Sequence, residues 1–358
     1  MIAGTRDVAL GLSSSLDHAP CLFADATELA ELCRPAADAG GIYVSHLRGG
    51  YEENSRAGID ELVSICRDAG VAGHVSHFHA RSELLMALVD EVRAAGVDLT
   101  FDSYPYSRGC TILAMLVLPP DLVGRGLDAT RAELADPGRR ADLAAQLGPR
   151  LSARADLGPH WAEQVRFAHV PASAYDGVHG RSLAEAAAWA GTDPATLAVE
   201  VLAAADLHVT VTLRTPHERD DAEMAGHLAH PAHVGGSDGI FLGRSAHPRA
   251  WGTFARYLAV FARDRGDLSV EQVAHIFAHR PARRFGLGAR GSLVPGSVAD
   301  LVVLDWARVR DVASYADPRR PAEGIADVFV NGAQVLADGA LTGVRSGTGL
   351  RRSSVRAA

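Results

Sequence analysis

Tyr43-Val44-Ser45-His46-Leu47-Arg48 and His74-Val75-Ser76-His77-Phe78-His79 decide how this chain is read. Each is a short apolar run that stops at a Ser-His pair, and they lie roughly 30 residues apart, the period of a βα unit. Between them, Arg56 to Asp68 places Ile59, Leu62, Val63 and Cys66 on one helical face, and Gly70 closes the helix. Upstream, Val8 to Leu12 reads as a buried strand. It is followed by a helix opening at Asp25-Ala26-Thr27, with Thr27 as its cap and Leu29, Leu32 and Ala36 as its apolar series. Downstream, Ser82 to Ala95 reads as a helix stopped by Gly96, and Val97 to Asp102 as the next strand. Units of this kind in tandem predict a parallel sheet of the (β/α) barrel type.

The later chain is less regular. Residues at about 107–166, rich in Arg, Ala, Asp and Leu, predict a helical excursion that is either a lid over the strand ends or a plain surface insertion. Gln164 to Val170, Val209 to Leu213 and Val234 to Gly236 read as further strands. Ser182 to Ala190 and Asp193 to Ala204 read as helices, so the alternation is expected to run on to Phe285. After Arg290 the texture changes to short strands and tight turns, with Asn331-Gly332 a type I′ hairpin signal. The expected organisation is an incomplete barrel over residues 1–288, a small β module over 289–350 and a disordered tail at 351–358.

Composition narrows the function. An apolar content of 47% with 22% charge is that of a globular enzyme rather than a disordered chain. A net charge of −8, with arginines interleaved among Asp and Glu, argues against nucleic acid as a partner. The four cysteines form no C-x-x-C pair, which fits a reducing compartment. The first 20 residues contain no signal-peptide pattern, Asp7, Asp17 and His18 interrupting the only apolar run, and no stretch reaches the roughly 18 apolar residues of a membrane span. Cytoplasmic location and a small-molecule substrate are the expectations.

The chemistry rests on residues at strand ends. A lone histidine there is more often a surface or core residue than a ligand. His46 and His77, however, both follow Ser and both end strands of consecutive units, which puts them within reach of one metal ion. Imidazole and carboxylate donors suit Zn²⁺, which lowers the pKa of a bound water and polarises a carbonyl. Asp238, in Val234-Gly235-Gly236-Ser237-Asp238-Gly239, either caps the turn through its side chain or serves as the general acid/base at the end of a late strand. Arg249 is a bidentate carboxylate clamp or a solvated arginine. Tyr104 and Tyr106, in Tyr104-Pro105-Tyr106, line a pocket or form a packed aromatic turn. His79, His169 and His247 are weaker candidates.

With these residues in view the chain resembles the amidohydrolase superfamily and, within it, the N-acyl-D-amino-acid deacylase family. The matching runs follow family order: Gly11-Leu12-Ser13-Ser14, Tyr43 to Arg48, Val75-Ser76-His77, Asp102 to Tyr106, Gly236 to Gly239, His247-Pro248-Arg249-Ala250-Trp251-Gly252-Thr253-Phe254, Arg290 to Val303, and Val330-Asn331-Gly332. The resemblance implies hydrolysis of a linear amide, an N-acyl-D-amino acid. It also implies His46 and His77 as metal ligands, Asp238 as general acid/base, and Arg249 with the Tyr104 region as contacts for the substrate carboxylate.

Two departures qualify this. A Ser-His-x-Lys pattern of relatives reads Ser76-His77-Phe78-His79 here, putting His79 where a lysine contacts substrate. Relatives also carry an early His-x-His pair and a Cys or Glu ligand, and nothing upstream of Leu10 supplies them. The sequence is therefore expected to lack an N-terminal portion, to expose apolar sheet edges, and to need a missing segment, an oligomer or a partner chain for full activity. Two rival readings follow. One is a cyclic amidase of the dihydroorotase or hydantoinase kind, against which stands the lack of a lysine at any strand end. The other is a non-catalytic half-barrel that pairs with a separate N-terminal subunit.

Overall fold

A computed structural model describes residues 9–49, 52–154, 157–214 and 217–350. Val8 and the tail expected at 351–358 lie outside the described residues. Five parallel strands form the main sheet: β1 (Gly11–Ser15), β2 (Ile42–His46), β3 (Ala72–Val75), β4 (Leu99–Ser103) and, after a long excursion, β8 (His233–Gly235), in that spatial order. The register sets Ser15 beside His46, Ser45 beside Val75 and Ser103 beside Gly235, so the carboxyl ends of all five strands lie along one edge of the sheet. This is the (β/α) arrangement expected from the alternation.

Helices α1 (Ala26–Asp38), α2 (Ser55–Ala69) and α3 (Ser82–Ala94) connect the first four strands. Their apolar faces pack on the sheet in one cluster that includes Leu29, Cys33, Ile59, Leu62, Ile65, Leu85, Leu88, Leu99 and Phe101. The α1 cap is Asp25 rather than Thr27: its carboxylate accepts from the Glu28 N–H at 2.8 Å, while Thr27 already lies inside the helix. Gly70 ends α2 with φ +67°, a left-handed conformation that costs a glycine little, and its N–H closes onto the Cys66 and Arg67 carbonyls.

The strands expected to continue the parallel alternation at 165–169 and 210–213 do not. β5 (Gly109–Ile112), β6 (Val165–His169) and β7 (Thr210–Leu213) form a separate antiparallel sheet in the order β5-β7-β6. A short apolar run carries no information about its partner's direction, so periodicity could not distinguish the two arrangements. Helices α4 (Pro137–Ser152), α5 (Leu183–Ala190) and α6 (Pro194–Ala204) cover this sheet. They share a second core with Leu147, Leu151, Phe167, Leu183, Leu202 and Val211. Ser182 and Glu185 make a reciprocal capping box on α5, and Asp193 caps α6 ahead of Pro194.

Beyond α7 (Asp221–Leu228) and β8, helix α8 (Arg249–Arg256) continues as a π-helix over Tyr257–Asp264. The chain ends in an antiparallel sheet of β9 (Leu301–Leu304), β10 (Ile325–Val330), β11 (Ala333–Ala337) and β12 (Ala340–Leu341). The β10–β11 turn has φ +50° at Asn331 and +79° at Gly332, the positive pair a type I′ hairpin demands. Among the described residues no helix is long and apolar enough to cross a membrane.

Candidate active site

The carboxyl ends of the parallel strands open into a cavity of about 840 Å³. Asp17 and His18 follow β1, His46 ends β2, His77 and His79 follow β3, Tyr104 follows β4 and Asp238 follows β8; all line it. Facing them across the space are Cys110, Ile112, Met115, Leu116, Leu157 and Leu213 from the antiparallel unit. His77 and Asp238 have φ of +37° and +44°, conformations uncommon for residues with a Cβ. In each the chain leaves the sheet abruptly and the side chain faces the cavity.

His46 Nδ1 stands 3.0 Å from His77 Nε2, and His46 Nε2 stands 3.3 Å from Asp17 Oδ2. Asp102, on β4, anchors the His77 turn: Oδ1 accepts the His77 backbone N–H at 2.8 Å, and Oδ2 lies 2.9 Å from His74 Nε2. Burial by itself raises the Asp102 carboxyl, but the His74 hydrogen bond and the neighbouring imidazoles outweigh it and hold the group below the usual carboxylate range. Asp17 behaves likewise, with His46 outweighing burial. Burial first, and the nearby His46 second, lower His77 to about 4, so its ring is neutral at neutral pH.

His79 is also held well below its ordinary value, chiefly by burial and then by Arg219. Its Nδ1 lies 2.7 Å from the His77 carbonyl, to which only a ring N–H can bond. Nε2 of the neutral ring is thereby left as an acceptor. Burial pushes the Cys110 thiol up to about 11, which removes it as a thiolate nucleophile.

Arg249 lies behind this surface, fully buried, with its guanidinium 4.3 Å from the centre of the Tyr104 ring and Nη2 2.6 Å from Asp238 Oδ2. Burial opposes its charge, yet Tyr104 and Asp238 keep the group protonated. Despite the short distance, its N–H groups are not aligned on the carboxylate, and Nε, Nη1 and Nη2 have no hydrogen-bond partner among the described residues. Buried donors without acceptors are costly, and the adjacent Asp238 carboxylate compensates the guanidinium charge. His247, a weaker candidate, instead supports Arg249. Nδ1 accepts the Arg249 backbone N–H at 3.0 Å, and Nε2 lies 3.0 Å from the Arg108 carbonyl. Tyr106 is not part of the cavity lining; its hydroxyl donates to Asp311 Oδ2 at 3.0 Å. His169 is likewise outside the lining.

The spacing of the two imidazoles matches zinc. Two nitrogens ligated at ~2.0–2.1 Å on a tetrahedral ion stand ~3.3 Å apart, and those of His46 and His77 stand 3.0 Å apart. Two imidazoles fit. Among the described residues no group of three His, Cys, Asp or Glu side chains is arranged to hold a metal ion.

Asp17, His18 and Asp102 escaped the sequence reading. β1 lies at 11–15 rather than 8–12, and with that shift Asp17-His18 falls just past a strand end, the placement that singled out His46. Asp102 was visible as a strand residue, but its bond to the His77 backbone required the β3–β4 pairing.

Comparison with known proteins is consistent with this geometry. Residues 142–336 match the model of the amidohydrolase family. A D-aminoacylase of Alcaligenes xylosoxydans xylosoxydans is 31% identical over 99% of this chain and 65% of its own length. An N-acyl-D-glutamate deacylase from Bordetella bronchiseptica, solved with zinc and a phosphonate mimic of the tetrahedral intermediate, superposes with a TM-score of 0.74 at 29% identity, over 95% of this chain and 63% of that one. A D-aminoacylase structure described for its binuclear metal centre gives 0.72 at 28% identity, over 96% and 62%. The chain thus spans somewhat less than two thirds of the length of these relatives.

Proposed function

The chain belongs to the amidohydrolase family, and from that premise we propose that it takes part in zinc-dependent hydrolysis of a linear amide, with an N-acyl-D-amino acid as substrate. The observation that carries the reading is the convergence of His46, His77 and Asp238, from three different parallel strands, on one cavity.

His46 and His77 would hold the ion through Nδ1 and Nε2. When bound, zinc polarises the scissile carbonyl and makes water more acidic. The remaining chemistry falls to the protein. Asp238 takes a proton from the attacking water on a carboxylate oxygen and returns it to the departing nitrogen, the two halves of one general acid/base cycle. Arg249 would donate to the substrate carboxylate from beside Asp238, whose Oδ2 lies 2.6 Å from Nη2. His79, with Nε2 as an acceptor, suits the amide N–H better than a carboxylate. The antiparallel unit supplies an apolar wall of Ile112, Met115, Leu116 and Leu213, which accommodates an aliphatic group and limits water.

The test is to supply the purified chain with zinc and measure amine release from N-acetyl-D-leucine and N-acetyl-L-leucine. Turnover that requires zinc, prefers the D substrate and disappears in Asp238→Asn supports the reading. Absence of both zinc uptake and hydrolysis overturns it.

A further inference from the structure

His46 carries two ring nitrogens with different neighbours. Nδ1 faces His77 Nε2 at 3.0 Å, and Nε2 faces Asp17 Oδ2 at 3.3 Å. A carboxylate only accepts, so the nitrogen beside Asp17 is the one that carries hydrogen, and in a neutral imidazole the other is then a lone pair. The Gly49 backbone, in the turn that follows His46, adds a small lowering influence on the Asp17 carboxyl, behind burial and the two neighbouring imidazoles. One carboxylate at the end of β1 thus meets the ring at the end of β2. Its neighbour His18 is tied separately, with Nδ1 2.5 Å from Ser15 Oγ, and packs its ring 5.2 Å from that of His46.

We propose that Asp17 is a positioning residue of the metal site: it accepts the Nε2 hydrogen of His46 and holds the ring in the tautomer whose Nδ1 lone pair faces His77 Nε2. The assignment of the site to a metal rests on the function proposed above; the tautomer does not. A carboxylate behind a ligating imidazole fixes the ring's orientation and raises its basicity, and loss of such a partner weakens metal binding by about 10–100-fold. Asp17 is not a ligand in this arrangement, because it sits on the nitrogen of His46 opposite to the one that meets His77.

The experiment uses the whole chain labelled with ¹⁵N-histidine, with zinc affinity measured by competition against a chromogenic chelator. His46 signals are assigned by their loss in His46→Gln. In the metal-free wild type His46 is expected as the Nε2–H tautomer. Asp17→Asn, nearly isosteric, is expected to mix or invert the tautomer and to weaken zinc binding about 10–100-fold with an unchanged circular dichroism spectrum. Asp17→Glu is expected to recover part of both. An Nδ1–H tautomer in the wild type overturns the proposal, as does an Asp17→Asn variant in which either the tautomer or the zinc affinity is unchanged. If the wild type takes up no zinc, the hydrolase reading of His46 and His77 falls, and the tautomer alone decides the role of Asp17.

Discussion

Two sheets contribute to the lining of the cavity, and they contribute different residues. The parallel sheet ends in Asp17, His18, His46, His77, His79 and Asp238, while the antiparallel unit presents mainly Ile112, Met115, Leu116, Leu157 and Leu213. Each has its own hydrophobic core, one built around Phe101 and the other around Phe167. Parallel strands bring every carboxyl end to the same edge, so a polar residue placed just after each strand meets the others. Antiparallel strands alternate their ends, and no comparable convergence arises.

The largest expected effect tests where the chemistry sits. Asp238→Asn keeps a side chain tolerated at positive φ but removes the countercharge of buried Arg249, so it should fold with reduced stability while losing about 10²–10⁴-fold in kcat. Circular dichroism and initial rates check both halves; retained activity would move the acid/base role elsewhere.

Phe101→Ala and Phe167→Ala probe the separation of the two cores. Each buried ring should cost ~3–5 kcal/mol in urea denaturation. Only Phe101→Ala should also loosen zinc binding, because only its core carries the strands bearing His46 and His77. Equal loss of zinc in both would show that the two units are one structural body.

Acid should weaken the parallel side through His233 on β8. Burial holds this ring neutral down to about 3, with Asp102 pulling the other way, and its Nε2 lies 3.3 Å from the Tyr257 hydroxyl. The unfolded chain takes the proton near ~6.5, so between about pH 6.5 and 3 the unfolded state binds more protons and stability falls as pH drops. From pH 7.5 to 5.5 this one group should remove ~1.4 kcal/mol. His233→Gln should show an acid slope shallower by that amount in urea midpoints; an identical slope would place the acid sensitivity in other histidines.

The smallest expected effect concerns α1. Asp25→Ala should cost ~1 kcal/mol and Thr27→Ala a few tenths, by thermal denaturation, because Asp25 bonds the Glu28 N–H. The reverse order would restore Thr27 as the cap.

Much of the parallel half is legible in the amino-acid order. The Ser-His runs at 45–46 and 76–77, the glycine stop at Gly70 and the Asn331-Gly332 hairpin all appear in the structure, because each depends on residues close in sequence. The antiparallel pairing of β6 and β7 was not legible, since an apolar run of five residues reads alike in either direction. Tyr106 and Arg249 show the same limit at the level of side chains. A tyrosine past a strand can face the cavity, as Tyr104 does, or turn to Asp311, as Tyr106 does, and only the C-terminal chain packed beside it selects between them.

By itself, then, the sequence determined which residues are chemically able to act and that several of them end strands. A strand and the turn after it are specified by the period of apolar side chains and the punctuation of glycines, both local properties. Tertiary structure alone decided which of these ends share a cavity, that His46 presents Nδ1 to His77 and Nε2 to Asp17, and that Arg249 lies buried beside Asp238. Those facts depend on hydrogen bonds and burial between residues tens to hundreds of positions apart, which no local pattern encodes.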